Sequence, residues 1–310
     1  MVAATNSDKG RAHDGTMAVL KRTVREFKAD NVTDWAAALT YYGVLSIFPA
    51  LVALVSIVGL LGTSAQDSLT KNLSAFAPGP AKTIITNAIN GVAANRGTAG
   101  ILFVVGLATA LWAASGYIAA FMRASNAIWD VEEGRPIWKT LPVRLGVTIL
   151  VVIMLAISAV AVVLTGALAD KAGQLLGLGG TFVTVWDIAK WPVLLLIVAA
   201  VFSILYYASP NVKHPSFKWI TPGGIIAVVI WVVASAAFAF YVANFSSYNK
   251  TYGSIAAVIV FLVWLWISNI ALLFGAEFNA ERARGRAIAG GYPEDKEPYL
   301  EMRDTTKLEN

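Results

Sequence analysis

The sequence predicts an all-α fold: a polytopic membrane helix bundle of six transmembrane helices plus a short amphipathic extracytoplasmic helix. Three observations predict it. Of 310 residues, 57% are hydrophobic and 14% charged, where soluble domains carry about 25% charged. The charges gather in the first 30 residues, the last 30 and short islands between apolar runs. Six of those runs approach or exceed the roughly 20 apolar residues that a helix needs to cross a hydrocarbon core of about 30 Å.

The runs cover about 35–61, 98–122, 142–168, 184–207, 220–243 and 254–274. The fourth is the shortest, clean only from Trp191, and reaches a spanning length by extension back to Thr184. The sixth is the cleanest, with no charge between Ser254 and Gly275. Pro142, Pro192 and Pro222 are read as first-turn residues, where a missing N–H costs nothing. Residues 34–280 thus form the transmembrane domain, 1–33 an N-terminal tail and 281–310 a largely disordered C-terminal tail, its last 20 residues opening with Gly290-Gly291-Tyr292-Pro293 and mixing both charge signs.

An even number of spans puts both tails on one side. That side carries eighteen of the 24 Lys and Arg residues: six in each tail, four between the second and third spans, and Lys213 and Lys218. The other six are Lys71, Lys82, Arg96, Lys171, Lys190 and Lys250. By the positive-inside rule both termini are cytoplasmic. The net charge of +5 therefore reads as orientation, and nucleic acid is excluded as a partner because no basic face is interleaved with exposed aromatics. No cleavable signal is expected, since the first 30 residues are polar and the first apolar run exceeds a signal core.

In the long outer loop, Ile84, Ile85, Ala88, Ile89 and Val92 recur at helical spacing, which predicts the short amphipathic helix. No internal repeat is visible.

Polar groups within spans are costly, and so become candidates for function. In the first span Pro49 frees the carbonyl of Leu45, with Ser46 one turn earlier and Tyr41 nearby. This is either a packing kink or one side of a cavity. The second span carries Trp112, Ser115 and Ala119 on one stripe, and Gly116, Ala120 and Ala124 at the four-residue spacing that brings helices close. Arg123 and Asn126 follow as it leaves the membrane. Glu277 is the one acidic residue embedded in apolar sequence, and either pairs with Arg123 or a neighbouring Arg or carries a coupling or substrate role. Tyr41, Ser46, Ser115, Asn269 and Glu277 share the cytoplasmic half of their helices, which predicts a polar cavity opening inward. On the outer side Tyr241, Phe245, Tyr248 and Tyr252 recur around Asn244 and Asn249, as interfacial anchors do.

The chain has no cysteine and two histidines, His13 and His214, so disulfides and thiolate chemistry are excluded. No His/Asp cluster, phosphate loop or nucleophile elbow is present. No metal, no cofactor and no enzymatic activity are expected.

Several of these runs resemble the YihY/virulence factor BrkB family. They are Ala37-Ala38-Leu39-Thr40-Tyr41-Tyr42 with Ser46-Ile47-Phe48-Pro49, Trp112-Ala113-Ala114-Ser115-Gly116, and Asn126-Ala127-Ile128-Trp129-Asp130-Val131-Glu132-Glu133-Gly134-Arg135-Pro136. Ala208-Ser209-Pro210-Asn211-Val212, Pro222-Gly223-Gly224, Tyr248-Asn249-Lys250-Thr251-Tyr252-Gly253-Ser254 and Gly275-Ala276-Glu277-Phe278-Asn279-Ala280 complete the set. Trp129 stands where Tyr is usual, and Ser209 where Ala is. The resemblance implies an inner-membrane protein of a family linked to serum resistance and once mislabelled a ribonuclease. It adds Asn211 and Asn279 to the candidates and sets Asn126, Glu132 and Arg135 at the inner face against Tyr248, Asn249 and Tyr252 at the outer. A transporter or flippase for a polar or lipid-linked substrate is the expectation, with a non-transporting scaffold for envelope machinery as the alternative. Membrane lipids are the expected partners, and a homo-oligomer is left open.

Overall fold

The computed structural model describes residues 16–61, 96–163, 179–244 and 254–309. Among them it is all-helical, with α1 (Thr16–Ala29), α2 (Val32–Leu61), α3 (Arg96–Ile128), α4 (Ile137–Val163), α5 (Gly179–Ala208), α6 (Pro222–Asn244) and α7 (Ser254–Ala289). Helices α3 to α7 are each long and apolar enough to cross a membrane. Their apolar faces are bare: Ile225, Val229, Val232, Val233 and Phe240 form an exposed stripe along α6. At about 25 cal/mol per Å² such a face is costly in water and neutral in lipid. Helix α2 covers the first predicted span over 30 residues, but the side chains around Pro49 lie outside the described residues, as does the predicted helix around 84–92.

Two expectations need correction, the helix-start prolines and the loose C-terminal segment, and the N-terminal tail gains a helix. Helix α4 begins five residues before Pro142 and α5 thirteen before Pro192, so both prolines are interior. Each leaves one carbonyl a turn earlier without its helical donor, a defect membrane helices tolerate when neighbours compensate. The N-terminal tail contains α1, whose Val19, Thr23 and Phe27 fall at i, i+4 and i+8. Val19 and Thr23 are buried, and Phe27 meets Phe274 at 5.8 Å. The C-terminal segment is docked, not loose. Helix α7 runs to Ala289 and stops in a Schellman motif: Gly291 N–H donates to Ile288 and Tyr292 N–H to Ala287, with Gly291 at φ +96. Only a residue free of Cβ sits there without strain. The chain then returns to pair Val212 with Met302.

The same stop closes α3 at Asp130 without glycine, and α1 ends on a related left-handed residue, Asn31. Asn31 and Asp130 both have φ 51, and Val131 N–H reaches back to the carbonyl of Asn126. Asn and Asp tolerate this left-handed region better than other residues.

The chain divides into two compact units, residues 1–36, 121–233 and 270–310, and residues 37–120 and 234–269. In the first, α4 packs on α5, Phe121 stacks on Tyr206 at 6.3 Å, and α6 crosses α7 at Gly223 and Gly275. A Cβ on either glycine would run into the other's carbonyl oxygen, so the two backbones touch. In the second unit Gly116 of α3 lies against the Tyr42 ring of α2, 3.1 Å from an added Cβ, and Gly43 lies 3.3 Å from Leu265 of α7 on the same measure. Small residues bring these helices together, as the four-residue spacing predicts.

Candidate functional site

Two polar assemblies occupy the first unit. One is a clasp. The loop after α3 turns at Asp130 and brings Glu133 and Arg135 back beneath Asn126. Arg135 Nε and Nη2 donate to the two Glu133 oxygens at 2.7 Å each, a bidentate pair. Its Nη2 also donates to the Ser209 carbonyl at 2.7 Å and its Nη1 to that of Ala208 at 3.4 Å, so the guanidinium caps the C-terminus of α5, where the helix dipole favours a cation. Asn126 donates to Glu133 at 3.0 Å and accepts from Asn211 N–H at 2.8 Å. Asn211 donates to the carbonyls of Glu132 and Asp304 and accepts from Asp304 N–H. Lys139 pairs with Asp304. Gly134 is required here because a Cβ would strike the Asp304 carbonyl. Burial pushes the Glu133 carboxyl up, but its bonds to Arg135 and Asn126 outweigh that and hold it below its ordinary value. Lys139 and Thr306 hold Asp304 down in the same way.

The second assembly is a cleft of about 530 Å³ between the 213–222 loop and the last turns of α7. Lys218, Arg282 and Arg286 line it, with Trp129 and Tyr207 as aromatic wall and no Asp or Glu. None of the three cations has a hydrogen bond or ion pair among the described residues. Their neighbours differ: Arg22 bonds Glu281 at 2.8 Å, and Arg284 reaches Glu26 and Glu281 at 3.5 Å each. Ser203 and His214 also line the cleft, and Ser203 Oγ and His214 Nε2 are buried with no partner. His214 lies between Trp129 and Tyr207, at 5.1 and 5.6 Å. Burial, then the charge of Arg303, pushes it down to about 4, so it is a neutral imidazole near pH 7. A second hollow of about 580 Å³ shares Pro222, Arg282 and Arg286 and is otherwise lined largely by apolar residues such as Ile225, Ile226 and Phe278.

The chain matches the virulence factor BrkB family over residues 23–298. It belongs to that family. This BrkB-family chain is 31% identical over 283 residues to YfkH of Bacillus subtilis, whose name calls it ribonuclease-like, covering 91% of this chain and 100% of that one. It is 32% identical over 269 residues to a UPF0761 membrane protein of Alkalilimnicola ehrlichii, 82% of this chain and 55% of the relative. The figures for a UPF0761 membrane protein of Azoarcus are 29% over 261 residues, 82% and 60%. The chain thus spans less than two thirds of those two relatives. No solved structure matches it.

The candidates fall in different places in this BrkB-family chain. Asn126 and Asn211 meet in the clasp with Glu133 and Arg135. Asn279 holds the start of α6: its Oδ1 accepts from Gly223 N–H at 2.9 Å and its Nδ2 donates to Thr221 Oγ1, which itself accepts from Gly224 N–H. It also lines the cleft. Glu277 is 1% exposed, and the carboxyl of Asp30 lies near it. Asp30, in the turn between α1 and α2, is pushed up to about 6 by burial and by Glu26. Arg123 is exposed.

In the second unit Ser46 donates to Gly43 and Ser115 to Trp112, each within its own helix at 2.7 Å, and Tyr41 is exposed. The group that forms there keeps Asn269 of the expected set and adds Tyr117 and Thr40: Tyr117 donates to Asn269 at 2.8 Å, and Asn269 to Thr40 at 3.1 Å. Tyr248, Asn249 and Tyr252 lie outside the described residues. Among those residues no group of three His, Asp or Glu side chains is placed to hold a metal ion. Lys218, Arg282, Arg286, Ser203 and His214 were missed as a set. Their signal was weak, a pair of arginines at i and i+4 and a lone histidine in a loop.

Proposed function

We propose that the chain is a six-span inner-membrane transporter or flippase, both termini cytoplasmic, that moves a polar or lipid-linked substrate. The first predicted span completes the six, and the eighteen-to-six bias of basic residues orients them. One observation carries the functional reading. A cleft lined by unpaired cations continues, across Arg282 and Arg286, into a hollow lined mainly by apolar side chains. That sequence of surfaces fits an amphiphile, head in one and tail in the other. On this orientation the cleft lies at the cytoplasmic end, where α7, about 54 Å long at 1.5 Å per residue, outruns the hydrocarbon core.

The purified chain, reconstituted in liposomes with fluorescent lipid or candidate polar solutes, should move one of them, and R282Q/R286Q should slow the movement at least tenfold. A wild-type protein that moves nothing, in cells that still need it, would leave the scaffold reading in place.

A further inference from the structure

The cleft is selective in two ways, by charge and by hydrogen bonding. Three cations line it with no carboxylate opposite, while the arginines beside them, Arg22 and Arg284, are matched to Glu26 and Glu281. Arg282 and Arg286 sit at i and i+4 on one helix face, a repulsive arrangement in a bare helix. A bound anion turns it into a pair of guanidinium forks, the geometry that grips phosphate oxygens.

The second selector is the pair of orphaned polar atoms, Ser203 Oγ and His214 Nε2. Ser203 is 1% exposed, so water does not satisfy it freely, and buried groups of this kind call for a partner. The backbone of Tyr206 also acts on this imidazole as an acceptor, and a neutral ring that donates from one nitrogen accepts at the other. That leaves Nε2 with a lone pair, an acceptor waiting for a hydroxyl. A phosphodiester offers no such donor near pH 7; a hydroxyl on its head group does.

We propose that the cleft binds the head of a phosphate-ester amphiphile carrying a free hydroxyl beside the phosphate. Lys218, Arg282 and Arg286 take the phosphate, and His214 Nε2 and Ser203 Oγ take the hydroxyl. Trp129 and Tyr207 wall the head, and the hollow shared by Arg282 and Arg286 takes the start of the tail toward Ile225, on the exposed stripe of α6. This names the substrate class of the transport reading and rests on it for its purpose.

The test is equilibrium binding to the purified full chain in detergent, with short-chain probes. Dihexanoyl phosphatidylglycerol has the phosphate and the hydroxyl. Dihexanoyl phosphatidylethanol has the same charge and no hydroxyl, and dihexanoyl phosphatidylcholine is zwitterionic. Glycerol 3-phosphate and inorganic phosphate have no tail. Phosphatidylglycerol should bind roughly fivefold tighter than phosphatidylethanol, the value of one hydrogen bond, and at least tenfold tighter than phosphatidylcholine. R282Q/R286Q should lose at least tenfold for phosphatidylglycerol at a melting temperature no lower than wild type, and R282K/R286K should keep most of it. S203A/H214F should abolish the preference over phosphatidylethanol and spare phosphatidylethanol itself.

Equal binding of phosphatidylglycerol and phosphatidylcholine, or no loss in R282Q/R286Q, overturns the proposal. Glycerol 3-phosphate binding as tightly as the lipid overturns the amphiphile and leaves a soluble phosphate ester. The two readings fail separately. Selective binding with no movement in liposomes sinks the transport reading, whereas movement indifferent to the head group sinks the cleft.

Discussion

The clasp and the cleft are built from the same kinds of side chain, within one unit of the chain, and end in opposite states. In the clasp the chain supplies the partners of Arg135, Glu133, Asn126 and Asn211, and beside them the Ser209 Oγ stays bare. Arg135 meets Glu133 and two carbonyls, and Asn211 uses its amide oxygen, its amide nitrogen and its backbone N–H. In the cleft, Lys218, Arg282 and Arg286 meet no carboxylate, and Ser203 and His214 keep one bare polar atom each. A saturated polar network contributes rigidity and a unique geometry. An unsaturated one costs stability until something fills it. The difference teaches where to look for function in this family member: among the polar groups left over, and less among those whose spacing first drew attention.

The comparison breaks most readily at Arg135. Removing it should destabilise the chain by about 3–5 kcal/mol, because Glu133 keeps its charge and the end of α5 loses its cap. Glu133 is partly exposed, at 29%, so the low end of that range is expected. A fall in melting temperature in detergent measures it; a variant within about 0.5 kcal/mol of wild type would mean the clasp is decoration.

His214 comes next. Its folded pKa is depressed to about 4 from the ordinary 6.5. Between those values the unfolded chain binds the extra proton, so stability is complete above 6.5 and falls as pH drops toward 4, by about 1–3 kcal/mol. His214→Phe should flatten that part of the profile. An unchanged slope would place the titration elsewhere.

Asn279 sharpens the boundary, since it caps α6 and also touches the cleft. N279A should cost about 0.5–2 kcal/mol, as lost caps do. N279D, which keeps the accepting oxygen, should recover part of it. Were N279A to melt like wild type, Asn279 would belong to the cleft alone.

The smallest effect is the most telling. R282Q/R286Q should stabilise α7 by about 0.2–0.5 kcal/mol, through relief of like-charge repulsion. A loss above about 1 kcal/mol would show that the two arginines hold the fold, and the contrast with Arg135 would disappear.

Much of this was legible in the chain. Apolar runs marked α3 to α7, Gly116 at its four-residue spacing marked a close approach, and the family motifs ran through the clasp. Boundaries were less legible. Pro142 and Pro192 read as helix starts because proline favours a first turn, yet packing carried α4 and α5 past them. The segment after 290 read as loose because its composition is polar; its order comes from Asn211, Val212 and Gly134, distant in sequence, which receive it. Glu277 was legible as unusual, but its acidic neighbour Asp30 was not.

Composition and charge pattern alone tell which solvent the chain lives in. Hydrophobic runs and charge counts are sums over local residues, and a bilayer reads them locally. Which polar residues are spent on the fold and which are left for a ligand depends on long-range packing. Whether an arginine is paired depends on what chain folding brings within 3 Å of it, and Arg135 and Arg282 look alike until it has.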